Sequence, residues 1–107
     1  MTTFDKRKEA YESRFARDEE LRFKSTARRN KLLGLWAAEK LGKSGADADA
    51  YAREVIRADM EEAGDEDVFR KLRADLDAAK VEVSDHQIRR TMEEKLAEAV
   101  EQIEAGR

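Results

Sequence analysis

Four groups of residues in this 107-residue chain have the types and spacing to do chemistry, and three of them fall short of a reaction centre. The single histidine, His86, stands between Asp85 and Gln87 in a sequence without cysteine. It cannot complete the roughly four-ligand set of a structural zinc, nor does a serine–histidine–acid relay assemble around it. It reads as an exposed imidazole in the first turn of a helix. The acids Glu61, Glu62, Asp65, Glu66 and Asp67 could attract cations, but they lack the alternating ligand positions and central glycine of a calcium loop. They read as solvated residues flanking a turn. Gly42, Lys43 and Ser44 reproduce the end of a phosphate-binding P-loop, yet the glycine that should open the pattern falls on Ala37. A P-loop also needs a strand before it so that backbone amides wrap the phosphates, and here a helix comes first. The triplet supports at most a weak nucleotide contact; a helix C-cap followed by a basic residue is the competing reading. No catalytic set, metal ligand set or cofactor is expected.

The fourth group is of another kind. Phe4, Tyr11 and Phe15 are spaced by seven and four, which puts the three rings within about 40° on one face of a helix. Arg7, Arg14 and Arg17 are interleaved with them. Residues 1–31 hold ten Lys/Arg against six acids, a net of +4 that leaves −7 for the rest of a chain whose total is −3. This is a basic arm on an acidic body. Either the charges are a solvated helix face, or the arm is aimed at an acidic partner. In the second case it folds on binding, laying the rings into an apolar groove while the arginines meet acids at the rim. Ordering about 15 residues costs on the order of 15–30 kcal/mol of backbone entropy, so the aromatic anchors must recover much of it. The alternative is that Phe4, Tyr11 and Phe15 pack on the chain's own core.

The elements that must position these residues are helical. The chain is 44% charged and 40% hydrophobic with no proline, a mixture rich in side chains that lose little rotamer freedom in a helix. Breakers at 42–47, 64–65 and 80–84 divide it into four helical stretches. Thr2 and Asp5 resemble the opening of a capping box, and Leu21 and Phe23 break the register of the preceding aromatics, so two segments meet near 18–20. Residues 32–41 are apolar nearly all round, which places that helix mid-bundle with Trp36 dominating a small core. Gly42 is its expected C-cap. A second helix is expected from Asp47 or Asp49 to Gly64, carrying Tyr51, Val55, Ile56 and Met60. Asp65 is the expected N-cap of the third, whose stripe is Val68, Phe69, Leu72, Leu76 and Ala79. Ser84 and Gln87 form a capping box for the fourth, with a seam of Ile88, Met92, Leu96, Val100 and Ile103.

The fold class that follows is all-α: a four-helix bundle domain over 21–107 with a basic, partly disordered or transiently helical N-terminal arm over 1–20. The longest apolar stretch, 32–38, is far below the ~20 residues that span a bilayer. The opening residues have no apolar run behind a basic head, so no signal peptide is expected and a cytoplasmic address is.

Three stretches carry a resemblance. Residues 21–42, LRFKSTARRNKLLGLWAAEKLG, and 64–76, GDEDVFRKLRADL, are similar to signature segments of the zeta-type ATPase inhibitor family of the alphaproteobacterial ATP synthase. The opening MTTFDKRKEAYESRFARDEELRF resembles it too, so the similarity covers nearly the whole chain. The runs at 27–42 and 64–72 are specific, whereas the charged fourth helix is not. The resemblance implies a non-enzymatic four-helix protein, monomeric when free, that binds the α, β and central-stalk subunits of the synthase's soluble head. It implies that the N-terminal segment enters a catalytic interface and blocks hydrolytic rotation while permitting synthesis, and that the protein is peripheral to the inner membrane through the synthase. On the residues alone two other readings stand: a helical interaction module with an unrelated partner, or a weak nucleic-acid binder using Arg28, Arg29 and Lys31 beside Trp36. The sequence pI near 5.3 weighs against the last.

Overall fold

A computed structural model of the chain describes residues 19–59 and 65–107. Over these the chain forms four helices and no strand: α1 Glu19–Lys40, α2 Gly45–Asp59, α3 Glu66–Ala78 and α4 Asp85–Glu104. The expected all-helical fold is the one observed. Helix α1 is the hub, packing against each of the other three.

Local chemistry sets the joints. Gly42 leaves α1 at φ 77°, and the amides of Gly42 and Lys43 donate to the carbonyls of Glu39 and Ala38 at 3.1 and 2.9 Å. This pair of reverse bonds closes the helix end and needs a left-handed residue, which glycine adopts without steric cost. Helix α2 starts at Gly45 rather than at Asp47 or Asp49, because the Ser44 carbonyl already accepts from the amides of Asp47 and Ala48. Helix α3 closes by the same device with a non-glycine residue, Lys80 at φ 59°, in the left-handed position. Ser84 and Gln87 form the reciprocal capping box read from the sequence, at 3.1 Å and 2.9 Å.

Asp65 stands at the N-cap position of α3 as expected, but it does not cap the helix with its side chain, and its backbone sits at φ −94°, ψ −3° rather than extended. Its carboxylate is engaged instead by Arg29 of α1, a stronger partner than the backbone amide of α3.

Leu33, Val55, Val68, Leu72, Leu76 and Ile88 lie fully buried at the centre, with Met92, Ala99 and Val100 continuing the α4 seam. Burying each of the larger side chains is worth about 1.5–3 kcal/mol. Trp36 does not dominate this core. It is half-buried at the margin, with the Lys40 ammonium 5.3 Å from its ring centroid. Nor is the middle of α1 fully buried all round: Leu33, Gly34, Ala37 and Ala38 are enclosed, while Leu32, Leu35 and Trp36 are half-buried. Ala79 is exposed as the C-cap of α3 and leaves that helix's stripe. The close approach of α1 and α2 rests on Gly34, where an added Cβ would lie 2.6 Å from Ala52 Cα.

Candidate functional site

Phe4, Arg7, Tyr11, Arg14, Phe15 and Arg17 lie outside the described residues. So do Met60, Glu61, Glu62 and Gly64. What the structure describes is the helix these arm residues lead into. The described part of α1 opens with the exposed acids Glu19 and Glu20. Lys24 pairs with Glu20 one turn back at 2.8 Å. Between them Phe23 stands 78% exposed.

Beyond this first stretch, α1 turns polar side chains inward. Ser25, Arg29 and Asn30 are all buried, and Ser25 Oγ has no hydrogen-bond partner. Arg29 Nε donates to Asn30 Oδ1 at 2.7 Å and Nη2 to Asp65 Oδ1 at 2.9 Å. A buried guanidinium is tolerable only with such partners, so Asp65 holds α1 against the start of α3. Arg28 makes a second tie: Nη1 donates to Gln102 Oε1 at 2.8 Å and Nη2 to the Arg107 carbonyl at 2.9 Å, joining α1 to the end of α4. Of the three basic residues taken as a nucleic-acid patch, Arg29 is thus buried and Arg28 is half-buried and tied to the end of α4, which corrects that grouping: phosphate attraction needs cations free in solvent. Lys31 alone of the three is exposed.

Gly42, Lys43 and Ser44 form an exposed helix–turn–helix joint with no strand before it. The amides of Gly42 and Lys43 are spent on carbonyls of α1, so they do not form a phosphate cradle. The acids after position 64 are engaged by arginines rather than converging on a cation. Asp65 meets Arg29, Glu66 meets Arg89 at 3.1 Å, and Asp67 meets Arg70. Among the described residues no group of three or more His, Asp or Glu could hold a metal ion. His86 is exposed in the first turn of α4, as read.

Sequence reasoning missed three constellations. Arg29 lies one turn before Leu33 on the stripe that enters the core, a signal that a helical projection carries. The Arg28 tie to the C-terminal end has no local signal. Nor does the third: buried Tyr51 donates its hydroxyl to Asp75 Oδ2 at 2.7 Å, while Lys71 Nζ donates to the same oxygen at 3.1 Å and sits 5.1 Å from the Tyr51 ring centroid. Burial foremost, then the hydrogen bond to Asp75 and the negative charges of Asp75 and Glu54, push the Tyr51 phenol far above its ordinary range. This knot clamps α2 to α3. The outer face of the α3–α4 pair is clamped by Arg89, whose guanidinium lies 4.0 Å from the Phe69 ring centroid. No helix among the described residues is long and apolar enough to cross a membrane.

These interactions tie the four helices to one another. Comparison with curated proteins finds no match. A solution NMR structure is 49% identical and superimposes with a TM-score of 0.72, covering 81% of this chain and 99% of that one. At that identity the likeness reaches sequence as well as fold. A family model described as ATPase inhibitor subunit zeta matches residues 1–102, nearly the whole chain and the basic arm with it. The chain therefore belongs to the ATPase inhibitor subunit zeta family.

Proposed function

We propose that this chain inhibits ATP hydrolysis by the bacterial ATP synthase, with residues 1–20 as the inhibitory element and the four helices as its anchor. The arm enters an interface between α and β subunits of the soluble head beside the central stalk, as a helix whose bulk opposes rotation in the hydrolytic direction. Phe4, Tyr11 and Phe15 are the apolar anchors, since aromatic side chains supply most binding energy per residue at such contacts. Arg7, Arg14 and Arg17 steer the arm toward acidic groups and fix its register.

The observation that supports this reading is the family match itself, which takes in the arm together with the four helices. Among the described residues Arg28, Arg29 and Tyr51 tie the helices to one another, which suits an anchor.

The test is ATP hydrolysis by the isolated synthase head, with the full chain and with a chain lacking residues 1–18. The full chain should inhibit; the shortened one should keep its helical circular dichroism and inhibit not at all. A full chain without effect, or a shortened chain that still inhibits, defeats the proposal. Loss of the helical signal on truncation would make the arm part of the chain's own core instead.

A further inference from the structure

We propose that the first half of α1, residues 19–31, is a releasable strap: it leaves the start of α3 and the end of α4 as one unit, freeing the buried Ser25 hydroxyl, while the bundle centred on Leu33, Val55 and Leu72 stays folded. The proposal concerns the fold of the chain itself and stands apart from the inhibitory reading above.

What each half of α1 buries sets the two apart. From Leu33 onward the enclosed residues are Leu33, Gly34, Ala37 and Ala38, and Leu33, Ala37 and Ala38 share one core with Val55, Leu72 and Ile88. Before Leu33 the enclosed residues are Ser25, Arg29 and Asn30, all of them polar. Leu21 is half-buried and Phe23 is exposed, so no large apolar side chain of this half is enclosed. Apolar burial is the dominant favourable force in folding, whereas trading water for a protein hydrogen bond gains little. The hydrophobic hold on α1 therefore begins at Leu33, and the residues before it are held by polar contacts.

Those contacts leave the closed state poorly balanced. Ser25 Oγ is fully buried with no hydrogen-bond partner, so closure carries a desolvation cost that opening removes. Arg29 is 2% exposed, but the acid that meets it, Asp65, has a side chain 57% exposed. Water already reaches one member of the pair, and opening hydrates the other. Arg28 holds α4 through the neutral Gln102 side chain and the Arg107 carbonyl, and the second of these bonds is exposed. An element with few enclosed apolar side chains and solvent-reached hydrogen bonds opens at a lower free energy than the whole fold. A helical stretch of this length has little stability of its own in water, so it unwinds on leaving the bundle.

The test is amide hydrogen exchange of the full chain followed by NMR, without and with low concentrations of urea, for the unaltered chain and its Ser25→Ala and Val55→Ala variants. After correction for intrinsic rates, the amides of residues 28–31 should exchange at least tenfold faster than those of Leu72 and Leu76, and with a weaker response to urea. Ser25→Ala should slow residues 28–31 roughly tenfold, the scale of one unmet buried hydroxyl. Val55→Ala removes a contact that survives strap opening, so it should speed exchange at Leu72 and Leu76 and leave residues 28–31 unchanged. Equal rates and equal urea responses for the two groups would make the opening global and overturn the strap. So would equal acceleration of both by Val55→Ala, or an absence of slowing in Ser25→Ala.

Discussion

The two ends of α1 share one helix, yet one is enclosed by its neighbours and the other is left in solvent. From Leu33 to Ala38 its small and aliphatic side chains are enclosed, with Gly34 admitting the backbone of α2. From Glu19 to Ala27 it keeps Phe23 in water and salts its surface with Glu20 and Lys24. Between them sit Arg28 and Arg29, which bind the helix to the rest of the molecule through Gln102, the Arg107 carbonyl and Asp65. One continuous helix thus has an enclosed half and a half left in solvent, and the change between them is marked by the buried Arg29 rather than by a break in the backbone.

The sharpest way to test this contrast is to shorten one side chain in the enclosed half. Leu33→Ala removes a side chain with no solvent exposure and should cost about 2–5 kcal/mol. Thermal unfolding should show this as a fall in Tm of roughly 10 °C or more. Gly34→Ala comes next. The new methyl would meet Ala52 Cα, which is backbone and cannot rotate away, so overpacking of about 1–3 kcal/mol outweighs the ~1 kcal/mol gained in helix propensity. Urea unfolding should therefore give a net loss from a substitution that stabilises most helices.

Tyr51→Phe tests the α2–α3 clamp against the α1 ties. Asp75 keeps Lys71 as a partner when the hydroxyl goes, so the loss should be about 1 kcal/mol at neutral pH. Its pH dependence carries the sign. The folded phenol holds its proton above the pH near 10 at which the unfolded one ionises, so this stabilisation is complete below pH ~10 and fades as pH rises. Wild-type stability should drop by up to about 1.4 kcal/mol per pH unit beyond that point, a slope absent from the phenylalanine variant. A variant with the same alkaline slope would remove Tyr51 as its source. The smallest effect belongs to the exposed half of α1. Phe23→Ala should leave stability within about 0.5 kcal/mol, and a large loss would show that the ring supports the fold after all.

Much of the fold was legible because its signals are local. The Gly42 turn, the Ser84–Gln87 box and the stripes of α3 and α4 depend on neighbours three or four residues apart, and the observed joints use those residues. Where reasoning failed, two local rules competed with a distant partner. Asp65 has the right identity and position for an N-cap, but Arg29, 36 residues earlier, takes its carboxylate. Trp36 has the size to fill a core, but the α1 face that α2 needs is the small one at Gly34, so the indole is left at the margin. Of the candidate site, the three rings and three arginines of the arm are an expectation from spacing and charge that falls outside the described residues. Phe23 could be noticed only as a break in register.

By itself the sequence determined that the chain is helical, where its turns fall, and that it divides into a basic and an acidic part. Each of these follows from composition or from spacings shorter than two helical turns. The tertiary structure alone decided which charges are structural and which face outward: Arg29 buried, Arg28 tied to the end of α4, and Lys31 in solvent. Burial of a charge depends on whether a partner arrives from a remote part of the chain to replace the water it loses, and no local pattern states which partner will arrive.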